Sequence, residues 1–429
     1  MNSPSDNLTI WILQTGEPLH IDEGNPRPMR AMNLSNALVE SGHKVVLWSS
    51  AFYHQEKRQR TTKAENVIVS ENLEIRLIPS PGYSRNIGPG RLWDHAVMAK
   101  NLSGLLSDVT EIPDIAFIGY PPIETAAVMA KWLTKKKVNY IVDVKDQWPS
   151  LFVEALPSPL RPIGKIALYP YFYLAKNALK GAKGLATMSH SFLEWAAVFA
   201  GRKINQFDKI VPLTTPQNSI LPEEFELADM WWDELGIKAD GTPRISFVGS
   251  HSRAFDMVPV LEAARYMLEN KINCQFVICG DGPVSAVWKE LAKGLNNVYF
   301  PGWIDRAKSE SLGKRSLAAL GPYLNVDNFI LNMPNKIIDS LAQGLPILSP
   351  LRGEVRNLLL SKKVGISYGE DFDQTLEEAI ISLINDNDFR DELSENAKAV
   401  YEKEYSYSKV YGELVNHLEM VARVIFIVK

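Results

Sequence analysis

Short apolar runs that end in glycine or a polar turn recur along the chain, each followed by a stretch with the length of a helix. Leu8–Leu13 opens the series. Residues 14–28 form a long loop, 29–41 an amphipathic helix, Gly42 and His43 a turn, and Lys44–Ser49 the next run. Strand, glycine-bearing loop, helix, strand is the order in which a doubly wound α/β sheet begins. Ile115–Gly119, Val138–Val144 and Leu185–Ser189 continue it. Ile245–Gly249, Gln275–Cys279, Leu317–Gly321 and Leu345–Leu348 repeat it beyond Val211–Pro222, a Pro- and Thr-rich segment read as a linker. With 429 residues the chain is long enough for two such domains. Gly16 and Gly24 stand too far apart for a dinucleotide fingerprint in the first loop.

Residues 332–348 read N-M-P-N-K-I-I-D-S-L-A-Q-G-L-P-I-L. Asn332 is placed to cap a helix, Pro334 fits its first turn, and Gly344 ends it before a short buried strand. Lys336 and Asp339 are three apart and share a face. A helix start carries partial positive charge and unpaired N–H groups, so with Lys336 it makes a seat for a diphosphate. A carboxylate one turn deeper accepts two ribose hydroxyls. The competing reading is an exposed ion pair worth a few tenths of a kcal/mol.

The string P-N-K-I-I-D-S-L-A-Q-G-L-P-I resembles the P-S-K-x-x-E-x-x-A-x-G-x-P block of family 4 glycosyltransferases, closest to the branch that builds bacterial O-antigen and exopolysaccharide. The resemblance implies that Pro334, Asn335, Lys336 and Asp339 bind a sugar nucleotide. The family's usual Glu is here Asp339, and a second family Glu, eight residues earlier, is here Leu331. It also implies an arginine on the diphosphate within G-x-x-x-R, here Gly249 and Arg253, a G-x-G-P turn at Gly280 and Gly282, and a donor contact at Gly353 and Glu354. The implied fold is GT-B: two Rossmann-like domains facing across a cleft. Residues 1–212 would bind the acceptor, 213–243 link, and 244–405 bind the nucleotide sugar, with 406–429 crossing back to the first domain.

In the first half, D-V-K-D-Q-W-P (Asp143–Pro149) closes a strand, where ligands gather in doubly wound sheets. Lys145, Asp146 and Trp148 are therefore expected on the acceptor side. The string resembles the R-D-x-W-P segment of the same branch; many family members carry His-Asp there, so no histidine base is assigned. Asp146 is equally a candidate helix cap. The first loop resembles the family's cleft loop, which makes Arg27 and Arg30 candidates for phosphate contacts or plain surface arginines. Arg85 and Arg91 lie in a Gly/Pro-rich loop of the kind that binds or moves. His190 is either a ligand contact at a strand end or a local cap partner. Arg253, Lys336 and Asp146 are the expected catalytic residues.

Composition is that of an ordinary globular protein, 46% hydrophobic and 22% charged. No apolar run reaches 18 residues, and the first lacks a basic start, so neither a membrane span nor a signal peptide is expected. Cys274 and Cys279 fall on opposite faces of one strand, which argues against a mutual disulfide and fits the cytoplasm. The net charge of −4 hides an asymmetry: 24 Lys and Arg against 19 Asp and Glu in residues 1–215, and 22 against 31 thereafter. That excess is too small for nucleic acid. It suits an anionic membrane or a phosphorylated acceptor, or simply reflects two differing surfaces. Residues 151–184 join aromatics to Lys165, Lys176, Lys180 and Lys183, either a helix dipping into lipid headgroups on the inner face of the cytoplasmic membrane or an ordinary core-facing one.

Asp386-Asn387-Asp388 is literally D-x-D, but it sits between helices, where such residues cap. No metal and no cofactor is expected. The predicted activity is transfer of a hexosyl group, with retention by family analogy, from a UDP- or GDP-linked sugar to a saccharide or a polyprenyl-diphosphate-linked acceptor in surface polysaccharide assembly. A sugar-nucleotide epimerase of the same fold and an inactive transferase-like scaffold are the alternatives.

Overall fold

The computed structural model describes residues 7–24, 26–86, 88–154, 156–215, 220–369, 372 and 374–426. Residues 216–219 of the expected linker lie outside them. The chain forms two units, residues 1–212 with 410–429, and residues 213–409.

The first unit contains β1 (Thr9–Leu13), β2 (Lys44–Ser50), β3 (Phe52–Tyr53), β4 (Arg58–Gln59), β5 (Glu65–Ser70), β6 (Leu73–Ile78), β7 (Ile115–Tyr120), β8 (Asn139–Val144), β9 (Gly184–Thr187) and β10 (Lys209–Ile210). Eight of them make one sheet in the order β10-β9-β8-β7-β1-β2-β6-β5. All pairs are parallel except β5 with β6. β7 and β8 are buried at every residue, as a sheet covered on both faces requires. β5 is largely exposed, as an edge strand on the polar stretch should be.

The helix Tyr407–Ala422 brings the chain's end back onto this unit. Val410, Tyr411, Leu414, Leu418 and Val421 are buried there. Asn139 Nδ2 donates to the Val424 carbonyl at 2.6 Å, and His43 Nε2 meets Glu419 Oε1 at 2.9 Å.

The second unit has six parallel strands: β11 (Arg244–Val248), β12 (Gln275–Cys279), β13 (Val298–Gly302), β14 (Ala318–Leu320), β15 (Ile347–Ser349) and β16 (Gly365–Ser367), in the order β13-β12-β11-β14-β15-β16. Its cores lie on both sides of the sheet, with Cys274 in one and Cys279 in another. Both are free, buried thiols.

The connecting helix expected around Trp231 is Pro222–Glu234; it buries Trp232 completely, and the indole N–H donates to the Lys308 carbonyl at 2.9 Å. Arg315 ties it further, through Asp229 at 2.6 Å. The segment belongs to the second unit, where Trp232 and Ile237 pack against Val277, Cys279 and Leu312. The key helix starts later than read, spanning Asn335–Gln343 with Pro334 as the capping position. Asn332 Oδ1 instead accepts from the Met333 N–H at 3.1 Å. Gly344 ends the helix in the left-handed region, as expected. Asp386 caps the helix Asn387–Val400, accepting from the Phe389 N–H at 2.9 Å.

Candidate active site

In the second unit the sheet order reverses between β11 and β14. Ligands of doubly wound folds gather where strand order reverses, at the carboxyl ends of the strands. Gly249 ends β11, and Lys336, from the helix after β14, reaches the same place: its Nζ donates to the Val248 carbonyl and lies 4.9 Å from the centre of the Phe247 ring. Gly249 has φ +156°, and a Cβ there would sit 1.5 Å from Lys336 Nζ, so a larger residue would evict the ammonium. Gly280 has φ +124°, and its Cβ would strike the Gly249 carbonyl at 1.9 Å. The two glycine turns must therefore stay glycine for their backbones to lie against each other beside Lys336.

The helix Asn335–Gln343, which carries Lys336 in its first turn, has no side-chain cap at its start. Asp339 lies one turn in and is half-buried. The helix Glu354–Lys362 likewise starts without a side-chain cap, at Gly353. Arg253 is exposed on the loop after β11, and Leu331 closes the short helix Asp327–Ile330. The sequence reading thus found Gly249, Gly280 and Lys336 as one cluster. Of the support beneath them it noted only His251, in the loop after β11. His251 is 1% exposed, with Nδ1 2.8 Å from Ser285 Oγ; Ser285 in turn donates to Asp281, while His251 Nε2 is buried without a hydrogen-bond partner. Burial lowers the His251 pKa, against the pull of Asp281. Ser285 carries no motif signal, and only the fold brings it under the loop.

The first-unit candidates scatter. Lys145 and Asp146 line a pocket at the ends of β1, β7 and β8. Lys145 is ion-paired to Glu17, and to Asp143 at 3.5 Å. Arg30, a candidate phosphate contact, is instead 2% exposed: its Nε pairs with Asp143 at 3.0 Å and its Nη2 donates to the Val211 carbonyl at 2.7 Å. A guanidinium sealed in this way is structural. Arg27 and Arg85 are exposed. Trp148 is buried behind the pocket, with Phe152 at 4.5 Å and the Arg91 guanidinium over its ring at 4.8 Å. His190 starts the helix His190–Ala200 and faces Glu194 at 3.4 Å; the pair is exposed, and the cap is Ser189. The helix after Asp146 begins at Ser150.

Residues 235–400 match the family model described as glycosyl transferases group 1. No curated protein sequence is similar enough to count as a relative. Among solved structures, sucrose-phosphate synthase from Thermosynechococcus elongatus superposes with a TM-score of 0.67 at 13% identity, over 96% of this chain and 98% of that one. WaaG, a glycosyltransferase involved in lipopolysaccharide biosynthesis, gives 0.63 at 14%, over 96% and 99%. HepE of Anabaena, in complex with UDP, gives 0.62 at 13%, over 96% and 100%. The fold is therefore that of the GT-B glycosyltransferases. The group 1 match lies within the second unit and, with this fold, supports a glycosyltransferase.

Proposed function

We propose that the protein moves a sugar from a nucleotide-diphosphate sugar, bound by the second unit, to a saccharide or lipid-linked saccharide acceptor during surface polysaccharide assembly. The observation that carries the reading is Lys336 held against Val248 and Gly249 at the uncapped start of its helix. As the glycosidic bond to the nucleotide breaks, negative charge grows on the leaving diphosphate. Lys336, the helix N–H groups and Arg253 meet that charge where it develops. Retention follows if the departing phosphate oxygen takes the acceptor's proton, a route that needs neither a protein base nor a metal. The UDP complex of HepE and the lipopolysaccharide role of WaaG support this choice of donor and pathway. Incubation with UDP- and GDP-linked labelled sugars tests the reading: release of nucleoside diphosphate with label transferred to a glycan primer is expected, and no turnover of any donor rejects it.

Asp339 is placed on the ribose in this reading. Asp339→Asn should weaken nucleotide binding about tenfold, the loss of one charge-assisted hydrogen bond, while slowing chemistry less. Calorimetry with the nucleoside diphosphate checks this, and equal affinity removes Asp339 from the ribose.

A contact with anionic membrane belongs to the same proposal. The helices Arg161–Ala167 and Tyr169–Gly181 bury only Gly164, Ala175, Ala178 and Leu179. Ile163, Ile166, Tyr169 and Tyr173 are exposed beside Lys165 and Lys180. Apolar tips flanked by lysines match a surface of anionic lipid headgroups. The protein should float with anionic liposomes and remain behind with neutral ones; equal behaviour discards the contact.

A further inference from the structure

The first sheet ends in a strand whose outer edge pairs with no other strand among the described residues. β5 meets β6 on one side and closes the strand order on the other. Alternate residues of such a strand turn their N–H and C=O groups outward, which makes it a template for another strand. Proteins commonly blunt these edges with lysine, proline or a bulge. Residues 65–70 read E-N-V-I-V-S and hold neither lysine nor proline. A bulge does occur, at Val69, because Ile68 faces Glu74 and Ser70 faces Leu73. It leaves residues 65–68 as a regular stretch.

The side chains on that stretch are not those of an edge built only for solvent. Val67 is half-buried on the face of Ile75, where apolar contact is expected. Ile68 lies on the opposite face, across from Glu74, and is 70% exposed. Arg76 shares that face and pairs with Glu111 at 3.5 Å; the next residue, Ile112, is exposed as well. β-branched side chains suit a pleated surface that is covered. Within one chain, Ile68 has no such cover.

Charge at the two ends of the strand selects the occupant. Lys63 precedes it and Glu71 follows it, and both are exposed. Antiparallel pairing of residues 65–68 with the same residues of a second copy sets Glu65 opposite Ile68 and Asn66 opposite Val67. A bulge places two residues against one, so Ile68 and Val69 together fill one position. Ser70 then falls opposite Ala64, and Glu71 opposite Lys63. Each copy offers its lysine to the other's glutamate, and no two like charges meet. A slip of two residues one way sets Glu65 opposite Glu71; the same slip the other way parts Glu71 from Lys63. The strand is therefore self-complementary in one register. We propose that β5 is a dimerisation edge, joining the first sheets of two copies of this chain into one continuous sheet with Lys63 of each beside Glu71 of the other. The two-fold axis between Asn66 and Val67 makes the contact isologous, so it closes at two chains. None of these residues belongs to the candidate active site, and the inference is independent of the transferase reading.

Sedimentation velocity of the full chain over a range of concentrations tests this, and a monomer–dimer equilibrium is expected. Lys63→Glu and Glu71→Lys should each weaken the dimer about tenfold, because two attractive pairs become repulsive. The double swap should restore it. Ile68→Lys adds the lysine that natural edges carry and should leave only monomer. All three side chains are exposed, so every variant should keep the melting temperature of the wild-type monomer. Hydrogen exchange locates the contact: amides within residues 65–68 should exchange more slowly at concentrations where the dimer forms. A monomer at every concentration, a dimer unmoved by Ile68→Lys, a double swap as weak as the single ones, or exchange at 65–68 that ignores concentration overturns the proposal.

Discussion

Replacing Lys336 by alanine is expected to lower turnover about a hundred- to a thousandfold, the usual loss when one preorganised group facing transition-state charge is removed. The reason lies in how the side chain is held. Its ammonium is fixed on the Val248 carbonyl, beside a glycine whose missing Cβ leaves the space it fills. It therefore needs no reorganisation as the diphosphate departs. Nucleotide affinity should fall less than turnover, because in the proposed mode the helix N–H groups also hold the ground-state diphosphate. Single-turnover rates of a variant with unchanged melting temperature are the measurement. An unaltered rate would remove Lys336 from the chemistry.

Arg30→Leu should behave in the opposite way, with a large loss of stability and little change in activity per folded molecule. The Arg30–Asp143 pair is almost fully enclosed, at 2% and 1% exposure. Breaking a buried pair leaves an uncompensated charge and costs about 3–5 kcal/mol. Lys145 remains 3.5 Å from Asp143, which argues for about 3 kcal/mol, the lower end of that range. In a unit of this size the melting temperature should drop by roughly 6–12 °C. Denaturation of the variant against wild type measures it. A variant with native stability but weakened acceptor or phosphate binding would return Arg30 to the ligand side.

The glycine turns and the start of the Lys336 helix were legible in the sequence because their parts are local. A helix start, a lysine within its first turn, and glycines closing two strands are each defined by neighbours a few residues apart, and a doubly wound sheet sends all such strand ends to one edge. It was the resemblance to family 4 glycosyltransferases that grouped Gly249, Gly280 and Lys336 before any coordinates. The acceptor-side candidates fared unevenly because charge alone does not say which way a side chain points. Arg27 and Arg30 stand three apart in the first loop and its helix, yet one is exposed and the other sealed against Asp143.

By itself the sequence determined the short buried strands, the helices between them and the glycine turns that join them, hence two doubly wound sheets. Those follow from periodicity and from glycine and proline chemistry, which act over a few residues. Tertiary structure alone decided that Arg30 is an internal tie and that residues 222–234 are part of the second unit. Burial and pairing of a polar group depend on what long-range packing sets opposite it. For these residues that partner comes from dozens of positions away.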